Sequence, residues 1–220
     1  MLLTSQLHVK GRRDDLLPPT SLSVSRGEIL LATGSGQDQR TALALTLSGR
    51  MKPSTGTLSW DGHAEIKKIR QAAAIVDSPR VNEPEQHLSV SDLVTEDLAL
   101  IPRRFRGALL SKPWLKVNNF TDVADLWVEQ LSAERRNELL TALALANPAT
   151  DLLVLDSPDR HSADADDWLP LLTRVAHQVG RPLAVVAVVN SVPSGWDGAT
   201  VAIGNAVPVK HHRHLSEEAK

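Results

Sequence analysis

The chain has 220 residues, 42% of them hydrophobic, which is enough to bury the core of one globular domain. Lys and Arg number 24 against 26 Asp and Glu, a formal net charge of -2, so the electrostatic case for general nucleic-acid binding is missing. Cysteine is absent, which excludes disulfides and thiolate metal sites and fits a reducing cytosol. No apolar run reaches the roughly 18 residues that span a bilayer, and MLLTSQLHVKGRRDD has no signal-peptide pattern. The expectation is a soluble chain whose membrane contact, if any, runs through a partner.

In chain order, short apolar runs alternate with helical patterns, the signature of an α/β protein. The predicted strands are LLTSQLHVK, TSLSV, EILLAT, GTLSW, AAAIV, DLLVLD, PLAVVAVV and ATVAIG. The early runs alternate in polarity and suit an antiparallel flank. Residues 152–155 and 183–189 are apolar without interruption, which implies strands covered on both faces of a largely parallel sheet. Helices are predicted over residues 41–49, 91–100, 132–146 and 164–179, the last stopped by Gly180-Arg181-Pro182. From about residue 81 the pattern loosens around Pro84, Pro102, Pro113 and both phenylalanines. That stretch, to about residue 137, reads as a mostly helical subdomain inserted into a domain of residues 1–204. Residues 205–220 read as a strand end and a polar tail carrying His211, His212 and His214, a composition that is more often mobile than metal-binding.

The run EILLAT leads into Gly34-Ser35-Gly36-Gln37-Asp38-Gln39-Arg40-Thr41 and then a helix. In a phosphate loop of pattern GxxxxGK[ST], backbone N–H groups and the helix N-terminus cradle the phosphates, the lysine reaches the β/γ oxygens and the hydroxyl holds magnesium. Gly34, Arg40 and Thr41 fit those spacings, whereas Gln39 stands at the second glycine. The bland alternative is a Gly/Ser-rich strand-to-helix turn with no ligand.

Further along, VEQLSAERRNELLTALALANPATDLLVLDSPDRH resembles the signature helix and following strand of ATP-binding cassette (ABC) proteins. Leu131, Ser132, Ala133, Glu134 and Arg135 stand at the LSGGQ signature, and Asp156-Ser157-Pro158 stands where an aspartate, a glutamate and a proline close the strand. TSLSVSRGEILL and SGRMKPSTGTLSWDG match the segments flanking the family's loop, so the resemblance covers about residues 2–204. It implies a P-loop NTPase fold of ABC type: a mainly parallel core sheet, an antiparallel β flank and an inserted helical subdomain. It also implies ATP and Mg2+ as cofactors, with Gly34 to Thr41 and Asp156 around the nucleotide and Thr41 and Asp156 near the metal. The implied partners are an integral membrane permease and a second cassette, in a homodimer or a heterodimer, at the inner face of the cell membrane.

Against that pattern, several chemical positions are changed. Arg40 replaces the lysine, and a planar guanidinium does not substitute freely for a point charge. Asp38 adds a negative charge beside the phosphate position, which at about 4 Å opposes each phosphate charge by about 1–4 kcal/mol. Ser157 stands in for the catalytic glutamate, a loss of about 10²–10⁴ in rate for a missing general base. Asn190 or Ser191 replaces the switch histidine, and Asp77 or Ser78 replaces the glutamine after AAAIV. The adenine platform has no tyrosine; Lys10 falls there, with His8 nearby. Ala133 and Glu134 replace signature glycines, and Ser132 reads most simply as a helix N-cap. DADDW at residues 164–168 reads as a helix N-terminus stabilised by its acids.

Arg103, Arg104, Arg106, Lys112 and Lys116, interleaved with Phe105, Trp114 and Phe120, read as a solvated face over core aromatics. The resemblance suggests instead a permease-docking surface, with the arginines and Trp114 as anchors. The function expected is an ABC-type ATP-binding subunit with weak binding and little or no hydrolysis. The alternatives are a nucleotide-independent scaffold and an active ATPase with atypical catalytic residues.

Overall fold

A computed structural model describes residues 1–106 and 110–206; the histidines of the tail lie outside the described residues. The chain opens with β1 (Leu2–Lys10), β2 (Asp15–Val24) and β3 (Ile29–Thr33), then α1 (Gln37–Leu47), β4 (Thr55–Trp60), α2 (Ile66–Ala72) and β5 (Ala73–Val76). A helical segment follows with α3 (Val90–Leu100), α4 (Arg103–Arg106), α5 (Ser111–Val117) and α6 (Ala133–Leu145). The chain then returns through β6 (Leu152–Asp156), α7 (Leu169–Ala176), β7 (Ala184–Val189) and β8 (Ala199–Ala202).

Two sheets form. An antiparallel one has the order β2-β1-β4, and a parallel one has the order β5-β6-β7-β3-β8. Every residue of β6 and β7 is buried, and successive side chains enter opposite cores, as the two-residue period of a strand requires. Leu153, Leu155, Val185 and Ala187 on one face pack with α3, α6 and α7, whereas Leu152, Val154, Val186 and Val188 face α1 and the antiparallel sheet. The helix α1 packs between those two sheets, burying Leu43 and Leu47, and its small Ala42 and Ala44 allow the close approach. It ends at Gly49, whose φ of 68° is left-handed and whose added Cβ would lie 3.0 Å from Arg70 N and Ile66 O of α2.

Several predicted bounds move. The strand β2 starts at Asp15, well before the expected TSLSV, and tolerates Pro18 and Pro19 because it is an edge strand in which a missing N–H breaks no ladder bond. The helix α1 starts at Gln37 rather than Thr41, with extended Gly36 as N-cap. The helix α2 was not expected, since Ile69 is its one buried residue and leaves little periodic signal. Residues 164–179 do not form one helix. Asp164 caps a 3-10 turn at Ala165–Asp167, accepting from Asp166 N, and Trp168, at φ -144°, breaks it from α7. The acidic cluster therefore sits on that turn, not on the first turn of α7.

Trp114 is not a surface anchor. It is 7% exposed and stacks on buried Phe120 with ring centroids 5.9 Å apart and planes 8° apart, inside the larger core cluster. Of the expected docking set it is the residue that fills the helical core, since an indole loses most by staying in water. Trp114→Ala should cost about 3–5 kcal/mol of stability, read as a fall in urea midpoint at unchanged slope.

Candidate nucleotide site

Polar residues gather where the parallel strands end. The carboxyl end of β3 delivers the Gly34–Thr41 loop, β5 delivers Asp77 and Ser78, β6 delivers Asp156 and Ser157, and β7 delivers Asn190. In open parallel sheets this edge is where ligands bind. Gly34 donates its N–H to Val189 O at 3.1 Å, and a Cβ there would meet the end of the Ile203 side chain, Cδ1 at 2.6 Å, which would have to turn aside. Ser157 holds a left-handed φ of 59° and ψ of 58°, an uncommon conformation for a serine that marks a constrained site. Its N–H donates to Val188 O at 2.8 Å.

Arg40 is 9% exposed and each nitrogen of its guanidinium donates a hydrogen bond. Nε donates to Ser157 Oγ (3.0 Å), Nη1 to Gly34 O (2.6 Å) and Asn190 Oδ1 (3.4 Å), and Nη2 to Gln37 Oε1 (2.8 Å). None of these acceptors is a carboxylate. The counter-charge, Asp156, is reached through neutral bridges: Gln37 Nε2 donates to Asp156 Oδ1 and to Thr41 Oγ1, both at 3.1 Å, while Ser157 Oγ lies 3.1 Å from Asp156 Oδ1 and from Gln37 Oε1. Thr41 Oγ1 and Ser78 Oγ each donate to Asp156 Oδ2 at 2.7 Å. The orientation of the Gln37 amide follows from its neighbours, because Oε1 faces a pure donor and Nε2 a carboxylate. Gln37 as the bridge was not foreseen, since the loop pattern leaves that position free.

The other expected site residues are placed less centrally. The Asp38 carboxylate does not oppose the loop: it is solvent-exposed and ion-paired with Arg80 at 2.9 Å. Ser35 is exposed and Gln39 half-buried. Both switch candidates are exposed, and of the two Asn190 meets Arg40. Ser132 is the N-cap of α6, accepting from Arg135 N at 3.2 Å, with Ala133 and exposed Glu134 in the first turn and Leu131 packed against the core. Arg135 bonds Asn119 O, Asp122 and Glu138 within the helical segment and lies over the Phe120 ring. His8 is tied to Asp15 (2.8 Å) and Thr55 (3.2 Å) rather than presented as a platform, and Lys10 is exposed. Asp77, at φ 52°, is buried beneath a bidentate Arg136 (2.9 and 2.8 Å), Arg160 (3.2 Å) and His161 Nε2 (3.0 Å). Sequence reading missed Arg160 and His161, whose shared partner Asp77 lies more than 80 residues away.

A loop of this kind between a parallel strand and a helix, with a hydroxyl and a carboxylate beside it, defines a P-loop nucleotide-binding fold. No protein-family model matches the chain. It is 27% identical over 158 residues to the probable siderophore transport system ATP-binding protein YusV of Bacillus subtilis, covering 65% of this chain and 54% of that protein. It is 26% identical over 172 residues to the petrobactin import ATP-binding protein FpuD of Bacillus anthracis, covering 71% and 60%. The chain thus matches little more than half the length of either relative. In structure it is similar to the dimeric MJ0796, a bacterial ABC transporter cassette (TM-score 0.65, 19% identity, 93% of this chain and 95% of that one). It is similar also to a nucleotide-free ATP-binding cassette from an ABC transporter (TM-score 0.65, 13% identity, 86% and 81%). Fold and similarities together give the chain the fold of an ATP-binding cassette domain.

That fold implies a magnesium–nucleotide pair, and the kinds of residue present suit one: N–H groups on the first turn of α1, a cation, a hydroxyl and a carboxylate. As the side chains stand, the Gln37 amide nitrogen, 3.1 Å from both Thr41 Oγ1 and Asp156 Oδ1, lies where a magnesium ion would need oxygens at about 2.0–2.1 Å.

The Asp77 cluster gives the site edge a pH signature. Burial raises the Asp77 carboxyl pKa, but hydrogen bonds from His161 and Arg136 and the charges of Arg136 and Arg160 outweigh it and hold the pKa well below the usual carboxylate range. A depressed folded pKa stabilises above the unfolded value of about 3.9, and this stability is lost as pH falls through the folded pKa. Asp77→Ala should therefore cost about 3–5 kcal/mol near pH 7, with the gap from wild type narrowing below about pH 4 in denaturant titrations.

Proposed function

We propose that this chain is the ATP-binding-type subunit of a membrane transport complex, binding ATP weakly and hydrolysing it little or not at all. The contact between Arg40 and Ser157 carries this reading. The buried cation of the loop ends on a hydroxyl at the position where the family resemblance expects a carboxylate. A serine hydroxyl is a poor base at neutral pH, and Asn190, beside the same guanidinium, has no group that titrates near neutral pH as a histidine does. The names of both curated relatives describe ATP-binding proteins of transport systems, which supports the transport role. A second cassette, its own copy or another, completes the unit.

The partner is an integral membrane permease, holding the chain at the inner face of the cell membrane. Among the described residues no helix is long and apolar enough to cross a membrane itself. A cleft of about 460 Å³ opens between β5, α3 and α6, with Asn82, Asp97, Ile101 and Leu140 in its wall and Leu100, 81% exposed, at its rim. Its size and mixed lining suit a short amphipathic helix. Burial, with the charge of Glu96 beside it, pushes the Asp97 carboxyl up. Arg103 and Arg104 are exposed at the following turn, and half-buried Arg106 donates to Ala99 O.

Capture from solubilised membranes tests the partner. A protein with several membrane spans should be enriched over a soluble control. Joint charge reversal of Arg103, Arg104 and Arg106 should reduce it several-fold at unchanged circular dichroism; no enrichment, or no effect of reversal, defeats the assignment. Steady-state ATPase should lie at background, and Ser157→Glu alone should not restore it, because changes within one reacting unit are not additive. Turnover lost on Arg40→Ala is the opposite result.

A further inference from the structure

We propose that Gln37 is a built-in occupant of the cation position, which closes the loop against magnesium until its side chain swings out. This rests on the reading of the loop as the nucleotide site and explains why binding there is weak. The amide nitrogen sits 3.1 Å from both Thr41 Oγ1 and Asp156 Oδ1, the two oxygens a loop-bound cation would bridge. Two amide hydrogens satisfy them, so a neutral donor does the work of a positive ion. The other end of the same amide accepts from Arg40 Nη2 at 2.8 Å, which draws the guanidinium under the loop and onto Gly34 O and Ser157 Oγ. One side chain thus fills the cation position and holds back the charge that would meet phosphate.

The bonds account for the whole cluster. Asp156 is 1% exposed and receives donors from Gln37, Thr41, Ser78 and Ser157, so its charge is met without metal; a buried carboxylate left unmet would be costly. Arg40 has acceptors on all three of its nitrogens. Entry of a cation has to break the Gln37 bonds to Thr41, Asp156 and Arg40 together, which favours the closed state by about tenfold or more in affinity, since each such bond is worth a few-fold.

Two substitutions test the gate in the full chain. Gln37→Glu sets a second carboxylate against Asp156: without divalent cation its melting temperature should fall, and Mg2+ or Mn2+ should raise it by about 5–10 °C, the shift of a site saturated at 100 times its dissociation constant. Gln37→Ala removes the amide and should tighten Mn2+–ATP binding by about tenfold, read by the electron paramagnetic resonance signal of free Mn2+. Wild-type protein should retain no Mn2+ at concentrations that load Gln37→Glu, with or without ATP. Stoichiometric Mn2+ on the wild type overturns the proposal while leaving the subunit reading standing. Where wild type binds Mn2+–ATP measurably, the proposal also falls if Gln37→Ala binds it no tighter, and it falls in every case if folded Gln37→Glu gains no cation response. A cation response in Gln37→Glu with no ATP response in any protein supports the gate and counts against ATP as a ligand.

Discussion

Burial of both faces of the parallel sheet is the constraint on which the rest of this structure depends. The strands β6 and β7 have no exposed residue, so no polar side chain can be carried along them without losing its hydration. Polarity is deferred to the point where each strand leaves the sheet. Asp77, Asp156, Ser157 and Asn190 are all first or last residues of that kind, and they converge because parallel strands end at one edge. The left-handed backbones of Asp77 and Ser157 lie there too, where hydrogen bonds of the surrounding network fix conformations that a lone residue would avoid.

Two charged networks share that edge and are built on different principles. Around Asp77 the countercharges make direct contact, and Arg136 brings α6 to β5 while Arg160 and His161 bring the turn after β6. Around Arg40 the charge is separated from Asp156 by an amide and a hydroxyl. Direct ion pairs fix one arrangement strongly. A relay of neutral bridges leaves each link individually weaker, and the side chain that can leave with least loss of charge pairing is the uncharged Gln37. The networks meet at β5, where Ser78, adjacent to Asp77, donates into Asp156.

The helical segment shows the same division between surface and core. Two of its aromatics, Trp114 and Phe120, are buried against each other, while Arg103 and Arg104 are exposed.

The sequence by itself determined the layered α/β fold, because uninterrupted apolar runs at residues 152–155 and 183–189 have nowhere to go except a doubly covered sheet. It also determined the position of the loop, the capping role of Ser132, and the residue types at Arg40, Ser157 and Asp156, since each depends on local order along the chain. The tertiary structure decided what local order cannot carry. Asp38 faces Arg80 across 42 residues, Trp114 turns inward, and Asp77 finds partners from two distant segments. Gln37, a position the loop pattern leaves open, became the bridge because Thr41, Arg40, Asp156 and Ser157 come within one amide's reach only when β3 and β6 lie in the same sheet. Hydrogen bonds act over about 3 Å, and which groups come that close is fixed by packing rather than by spacing along the chain.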